Sequence, residues 1–471
     1  MLERNGSWRH EKFVERRYGP YILRAPIWRG RPSLGRPLHP PRYMSALVLA
    51  VVLSLGALLA LRRLPPLHPA QLWILPWSVA SMLYALRLLP YRPLSASALF
   101  LILGGSVAFM TAAWAAGRPA GRRLPAGQKT SAEISRAEYP VVSRAAALLL
   151  PLAAVWLGAF MVQVSLRFGL KAAFVSSADV RLGLGAGALS LTIKYVYASF
   201  AAALVCGFAG ALAGSPRARI HWLLAAAACV LSTYFTTGRS NLVTAALLAG
   251  LPFAVVHRDA LTLPRLLGAT AATAVLVLGA LLIGGGIIGK TFSNSELATI
   301  QTPFTGHSWS EQLALPYEYA TAPIAAFNEL DAIAPTWGRT AGCATLSAGC
   351  SVLSALGLPA HAEPPIRAFT GPPLPWNTYT ALDSLLIDGG PALVIPFAAI
   401  LGLITGRAWR VAVTLTPLGI IFYSMLATAT LFSSVQNNFF ASHLLGAMVL
   451  AAAAVFVAGR SVSHHFRFSA C

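Results

Sequence analysis

SASALFLILGGSVAFMTAAWAA (95–116) runs for 22 residues without one charged side chain. About 20 mostly apolar residues are enough for a helix to cross the hydrocarbon core of a bilayer. Inside that core every backbone N–H and C=O must be paired within the segment, which an α-helix achieves alone. Segments 44–61, 70–89, 145–166, 188–213, 220–236, 241–257, 266–288, 379–405, 411–432 and 439–458 read the same way. None shows the ten-residue alternation of a membrane β-strand. Composition agrees: of 471 residues 56% are hydrophobic and 11% charged, and the mean hydropathy is +0.65. A water-soluble domain carries about 25% charged residues. A soluble enzyme, a disordered chain, a coiled coil and collagen are therefore excluded. The expectation is an all-α, polytopic transmembrane bundle of about eleven spans.

The net charge of +21 would suggest nucleic acid in a soluble protein. Here the basic residues lie between apolar blocks and act as topology signals, so the bilayer is the partner they imply and nucleic acid is not. With the tail 459–471 placed in the cytoplasm, connections 62–69, 117–144, 214–221, 258–265 and 406–410 plus that tail hold 16 Lys and Arg. The other side holds nine over far more chain: Arg87, Arg92, Arg167, Lys171, Arg181, Arg239, Lys290, Arg339 and Arg367. Residues 1–43 fall outside under this parity, yet carry ten basic residues against three Glu, which resists export. Either an early span is miscounted or translation begins at Met44; we favour the second reading. The domain plan is then a basic extension (1–43), spans one to eight (44–289), a large exported loop (290–376), spans nine to eleven (377–458) and the tail.

Four features depart from plain spans. The loop 290–376 holds ten prolines and six acids, including Glu318 and Glu329, with Trp309, Trp337, Trp376, Tyr317 and Tyr319. A flexible linker would be polar and poor in aromatics, so this loop is expected to fold down on the outer face as part of a site or as a cap. Connection 167–187 suggests a short interfacial helix holding Lys171 and Arg181 at headgroup height. In TTGRSN (236–241) the chain turns within six residues and sets Arg239 between two spans. Arginine is suited to multidentate phosphate recognition; the bland alternative is an arginine snorkelling to headgroups. PWNTYTALDSLLIDGGPALVIPFAAILGLITG (375–406) carries Asp383 and Asp388 into an apolar span, and its Asp-Gly-Gly-Pro would loosen the helix to line a cavity. Asp388 reads either as a structural ion-pair partner or as a catalytic group, and Lys194 raises the same question more weakly. Cys343 and Cys350 fit a disulfide or two free thiols equally well. Neither Cys-x-x-Cys nor His-x-x-x-His metal spacing occurs.

These residues resemble the Wzy-type oligosaccharide repeat-unit polymerases, the O-antigen polymerase-like membrane proteins. The likeness runs over most of 44–458. It rests on residues 66–109, on TTGRSN, on YEYATAPIAAFNELD (317–331), on TWGRTAGCATLSAGC (336–350), and most specifically on NTYTALDSLLIDGGPALVIPFAAILGLITG (377–406). The basic N-terminal extension departs from the family. The resemblance implies a glycosyltransferase of the bacterial inner membrane with a periplasmic active face. It would join undecaprenyl-diphosphate-linked oligosaccharide units without metal, nucleotide sugar or other cofactor, alongside a chain-length regulator protein. Arg239 would stabilise the diphosphate leaving group, and Asp388 or Glu318 would take the acceptor's proton. Arg181, Lys290, Arg339, Asn377, Tyr379 and Tyr317 would contact substrate. A ligase of finished glycan is the alternative enzyme, for which His307 and His361 are the histidines of the loop. A transporter would be expected to show two related halves, and the sequence shows no such repeat.

Overall fold

The computed structural model describes residues 44–118, 131–169, 192–236, 239–262, 308–332, 342–358 and 380–468. Every regular element among them is helical. In chain order they are α1 (Met44–Arg63), α2 (Pro69–Leu86), α3 (Ala96–Gly117), α4 (Ser131–Phe168), α5 (Thr192–Leu212), α6 (Pro216–Ser232) and α7 (Arg239–Val256). There follow α8 (Ser308–Ala332), α9 (Ser347–Ala355), α10 (Ala381–Gly389), α11 (Pro391–Ala412), α12 (Pro417–Leu431) and α13 (Ser442–Phe468). Among the described residues six helices are long and apolar enough to cross a bilayer: α1, α3, α4, α6, α11 and α13. Apolar stretches of 10–17 residues in α5, α7 and α12 are shorter. The expected span 266–288 and most of loop 290–376 lie outside the described residues.

Helix ends follow local chemistry. Ser95 begins α3 by accepting from the Ala98 amide, and Ser215 begins α6 by accepting from Ala218, ahead of Pro216 in the first helical position. Proline there lacks an amide that would have had no partner anyway. The last carbonyls of α1 would be orphaned in an apolar setting. Gln71 of α2 adds a donor there, its Nε2 reaching Leu64 O and Ala60 O at 3.0 Å each, the latter accepting also from the Leu64 amide. Arg62 and Arg63 end α1, Arg410 lies in the last turn of α11, and Trp409 and His68 both meet the Cβ position of Gly117. Those ends therefore gather at one basic end of the bundle.

The tightest helix pair is α3 with α11. A Cβ on Gly402 would fall on the Phe109 carbonyl oxygen, and one on Gly406 on that of Ala113. This is the small-xxx-small seam by which membrane helices gain dispersion contact where no hydrophobic driving force separates them. Trp73 packs face to face with Phe109, ring centroids 4.1 Å apart, and its indole N–H donates to Ser106 at 3.2 Å.

His68 caps α2 through its Nδ1, which accepts from the Ala70 amide at 3.3 Å. Burial holds this imidazole down at a pKa of about 4, from an ordinary 6.5. Between those values the unfolded chain binds the proton and the folded one does not, so stability rises with pH. Thermal unfolding in detergent should therefore show stability complete above pH 6.5 and falling progressively toward pH 4, by about 3 kcal/mol in all. His68→Asn, which keeps a capping acceptor but cannot titrate, should flatten that dependence; an unchanged pH profile would refute the assignment.

One expected span is corrected. Segment 379–405 is not a single helix but two, α10 and α11, joined at Gly390 with φ 67° and ψ −171°. Leu382 Cδ1 and Val394 Cγ1 lie 3.4 Å and 3.7 Å from the same Cβ position on Gly105. An unbroken helix would separate residues 382 and 394 by about 18 Å. The chain instead folds back on itself as a helical hairpin. Residues 411–432 and 439–458 also differ from expectation: α11 runs on to Ala412, α12 ends at Leu431, and α13 begins at Ser442 and continues to Phe468.

Candidate functional site

The fold-back puts a polar junction half-way through the bundle. Trp77 sits at the midpoint of α2, and its indole N–H donates to Ser433 Oγ at 2.9 Å. The backbone oxygen of Ser433 in turn accepts from the Ala381 amide at 2.7 Å. The end of α12 and the start of α10 therefore meet at mid-depth, joined by backbone rather than by apolar contact. Such irregular chain is tolerated inside a membrane only where protein or an aqueous cavity satisfies it. Thr380, Asp383, Ser384, Ser433, Ser434 and Asn438 are all buried here. Thr380 Oγ1, Asn438 Oδ1 and, one turn beyond Trp77, Ser81 Oγ are enclosed with no hydrogen-bond partner among the described residues.

α8 closes this region from the far end. It packs against α2, α3 and α10 and is tied along its length to the 87–95 connection. The Tyr317 hydroxyl donates to Leu83 O at 2.9 Å and accepts from the Leu88 amide at 3.0 Å. The Tyr91 and Thr321 hydroxyls lie 2.7 Å apart, and Asn328 both accepts from Ser95 N and donates to Pro93 O. Arg92 and Glu329 complete the row at 3.8 Å. Burial pushes the Glu329 carboxyl up, and Arg92 opposes it. Glu318, on the same helix, is fully buried. Burial is the main cause raising the Tyr91 phenol; the Thr321 bond opposes it and the Glu318 charge adds to it.

Asp388, at the hairpin tip, accepts from the Ala344 amide at 3.1 Å and from the Thr345 amide at 2.6 Å. That turn is closed by the Cys343–Cys350 disulfide, with Cα atoms 5.6 Å apart. The open question about these thiols is answered as a bond, and Asp388 is the clasp holding the bonded turn to the hairpin. Each charge-assisted bond to a buried amide contributes about 1.5–3 kcal/mol. Asp388→Ala should therefore speed cleavage of the disulfide by dithiothreitol at least about tenfold. Maleimide mass-tagging of Cys343 and Cys350 reads the effect, and equal rates in wild type and variant would refute the clasp.

The other expected site residues divide by position. Arg239 opens α7, but its side chain lies outside the described residues, as do Arg181, Lys290, Arg339, Asn377 and Tyr379. Tyr317 is buried with its phenol bonded to the exit of α2, so it serves the fold rather than an open sugar-binding surface. Glu318 and Asp388 share the α8–α10 end of the bundle. Asp383 joins them, an acid in an apolar stretch to which the sequence alone assigns no role. Its signal was position, the third residue after Thr380 in a short helix whose N-terminus favours a carboxylate. No group of three or more metal-ligating side chains occurs among the described residues. Comparison with family models, with curated proteins and with solved structures finds no match to this chain.

Proposed function

We propose that this chain is a membrane glycosyltransferase that polymerises undecaprenyl-diphosphate-linked oligosaccharide repeat units at the outer face of the bacterial inner membrane. The observation that carries the reading is the hairpin at Gly390, which sets Asp383 inside the bundle on a helix packed against the one bearing Glu318. Both carboxylates are fully buried. Acids inside a membrane bundle are expensive and by default mark function. In the reaction the acceptor hydroxyl oxygen bonds to the donor's anomeric carbon. The bond from that carbon to the phosphate oxygen breaks, and lipid diphosphate leaves with the electron pair. Glu318 or Asp383 takes the hydroxyl proton, and the disulfide-bonded turn held by Asp388 caps the site. Arg239, at the start of α7, is the proposed cation for the leaving diphosphate.

A proton-transfer group contributes about 10²–10⁴-fold. Glu318→Gln and Asp383→Asn, expressed in cells lacking their own polymerase, should give single repeat units where the unaltered chain gives a ladder. Full-length ladders from both variants would refute the reading.

One observation favours a second reading. Broken helices meeting at mid-depth are also how transporters build substrate sites. Purified protein in vesicles that moves lipid-linked glycan across the bilayer without joining units would establish that function instead.

A further inference from the structure

A separate group of basic side chains, two arginines and a histidine, lies where α5 ends, α6 begins and α7 ends. Arg219 Nη2 donates to Ala213 O at 3.3 Å. The His257 ring packs on Phe253, centroids 4.5 Å apart, and bonds the Ala211 backbone. Both side chains thereby cap the carbonyl end of α5, where the Arg219 charge is favoured. Capping leaves nitrogens over. Arg219 Nε, His257 Nε2 and Arg258 Nη1 are enclosed, with no hydrogen-bond partner among the described residues. The nearby acid, Asp259, has a side chain 81% exposed and approaches Arg258 at Nε, 3.7 Å away. Burial and the Arg219 charge both hold the His257 imidazole below its ordinary 6.5, so the ring is neutral near pH 7 beside that guanidinium, and Arg258 follows His257 directly in the chain. The N-terminus of α6, with its positive dipole end, opens beside them.

Buried nitrogens of this kind are costly unless an acceptor satisfies them. An acceptor with several anionic oxygens answers the two guanidinium nitrogens, which match it in geometry, and its charge favours a proton on His257, whose Nε2 then donates to it as well. We propose that Arg219, His257 and Arg258 form a phosphate-binding site at the basic end of the bundle. The phosphate comes either from the headgroup of an anionic phospholipid or from solution. The site is independent of the glycan-transfer reading and lies at the opposite end from α8.

Native mass spectrometry of the full chain, released from detergent with phosphatidylglycerol or phosphatidylcholine, tests it. A retained phosphatidylglycerol adduct is expected, weakened about tenfold in Arg258→Gln and in Arg219→Lys. The lysine variant keeps a charge for the Ala213 carbonyl and loses Nε, so it serves even if Arg258→Gln folds poorly. Inorganic phosphate that displaces the adduct and itself raises the unfolding temperature identifies a soluble ligand; phosphate that does neither identifies the lipid. Equal retention of phosphatidylcholine, or unchanged retention in both variants, overturns the site.

Discussion

Gly402→Leu combined with Gly406→Leu should yield no monodisperse, folded protein. The Cβ position of Gly402 lies 3.0 Å from Phe109 Cα and closer still to its carbonyl oxygen; Gly406 meets Ala113 in the same way. These obstacles are backbone atoms within a helix, so no rotamer change relieves the clash. The helices must separate, and the Trp73–Phe109 stack and the Trp73–Ser106 bond lie in the same layer. Overpacking typically costs about 1–3 kcal/mol per site, and two backbone clashes on one seam should exceed that sum. Gly104→Ala is the graded comparison, because the nearest atom there is Ile395 Cδ1 at 2.8 Å, the movable end of a flexible side chain. Gly158→Ala has nothing within 4 Å and should be neutral or slightly stabilising. Size-exclusion profiles and unfolding temperatures of the variants in detergent check the ranking. A well-folded double variant would show that the seam is not where the structure puts it.

What could be seen in the sequence tracks what the bilayer imposes locally. Hydrocarbon thickness forces long uncharged blocks, so 44–61 and 95–116 reappear with nearly the same limits as α1 and α3. The Asp-Gly-Gly-Pro break was also visible, since glycine and proline weaken a helix whatever surrounds them. Whether the chain bends or reverses there was not. That outcome depends on Gly105, some 280 residues earlier, admitting Leu382 and Val394 together. The cysteine pair was ambiguous for the same reason, because seven residues of separation fit many backbones and only the 342–346 turn fixes the Cα distance. Glu318 was recognisable as an acid in an aromatic loop. Its burial follows from Tyr317, Thr321 and Asn328 strapping α8 to a connection more than 220 residues away in sequence. Asp383 was seen and assigned no role, since a span read as continuous gives no reason to prefer it over Asp388.

The reversal at Gly390 ties fold to chemistry most directly, and Gly390→Ala should abolish both. Its φ of 67° with ψ of −171° lies in a region essentially reserved for glycine. A Cβ there costs on the order of 1–3 kcal/mol, and the neighbours leave no easy escape. Pro391 fixes the start of α11, and the Gly390 amide is already bonded to Leu386 O at 2.8 Å. If the turn opens, α10 leaves the junction at Ser433, Asp383 leaves the bundle interior, and Asp388 releases the disulfide-bonded turn. The geometry is tested without reference to activity by placing cysteines at 382 and 394. Oxidation with membrane-permeant iodine should link Leu382→Cys to Val394→Cys within one chain, because both side chains reach Gly105 and are fully buried, where a bulky reagent could not enter. Adding Gly390→Ala should remove the link and lower the unfolding temperature. Failure of the double-cysteine protein to cross-link while Gly390 is intact would mean an unbroken span, and the buried acid–hairpin site would have to be given up with it.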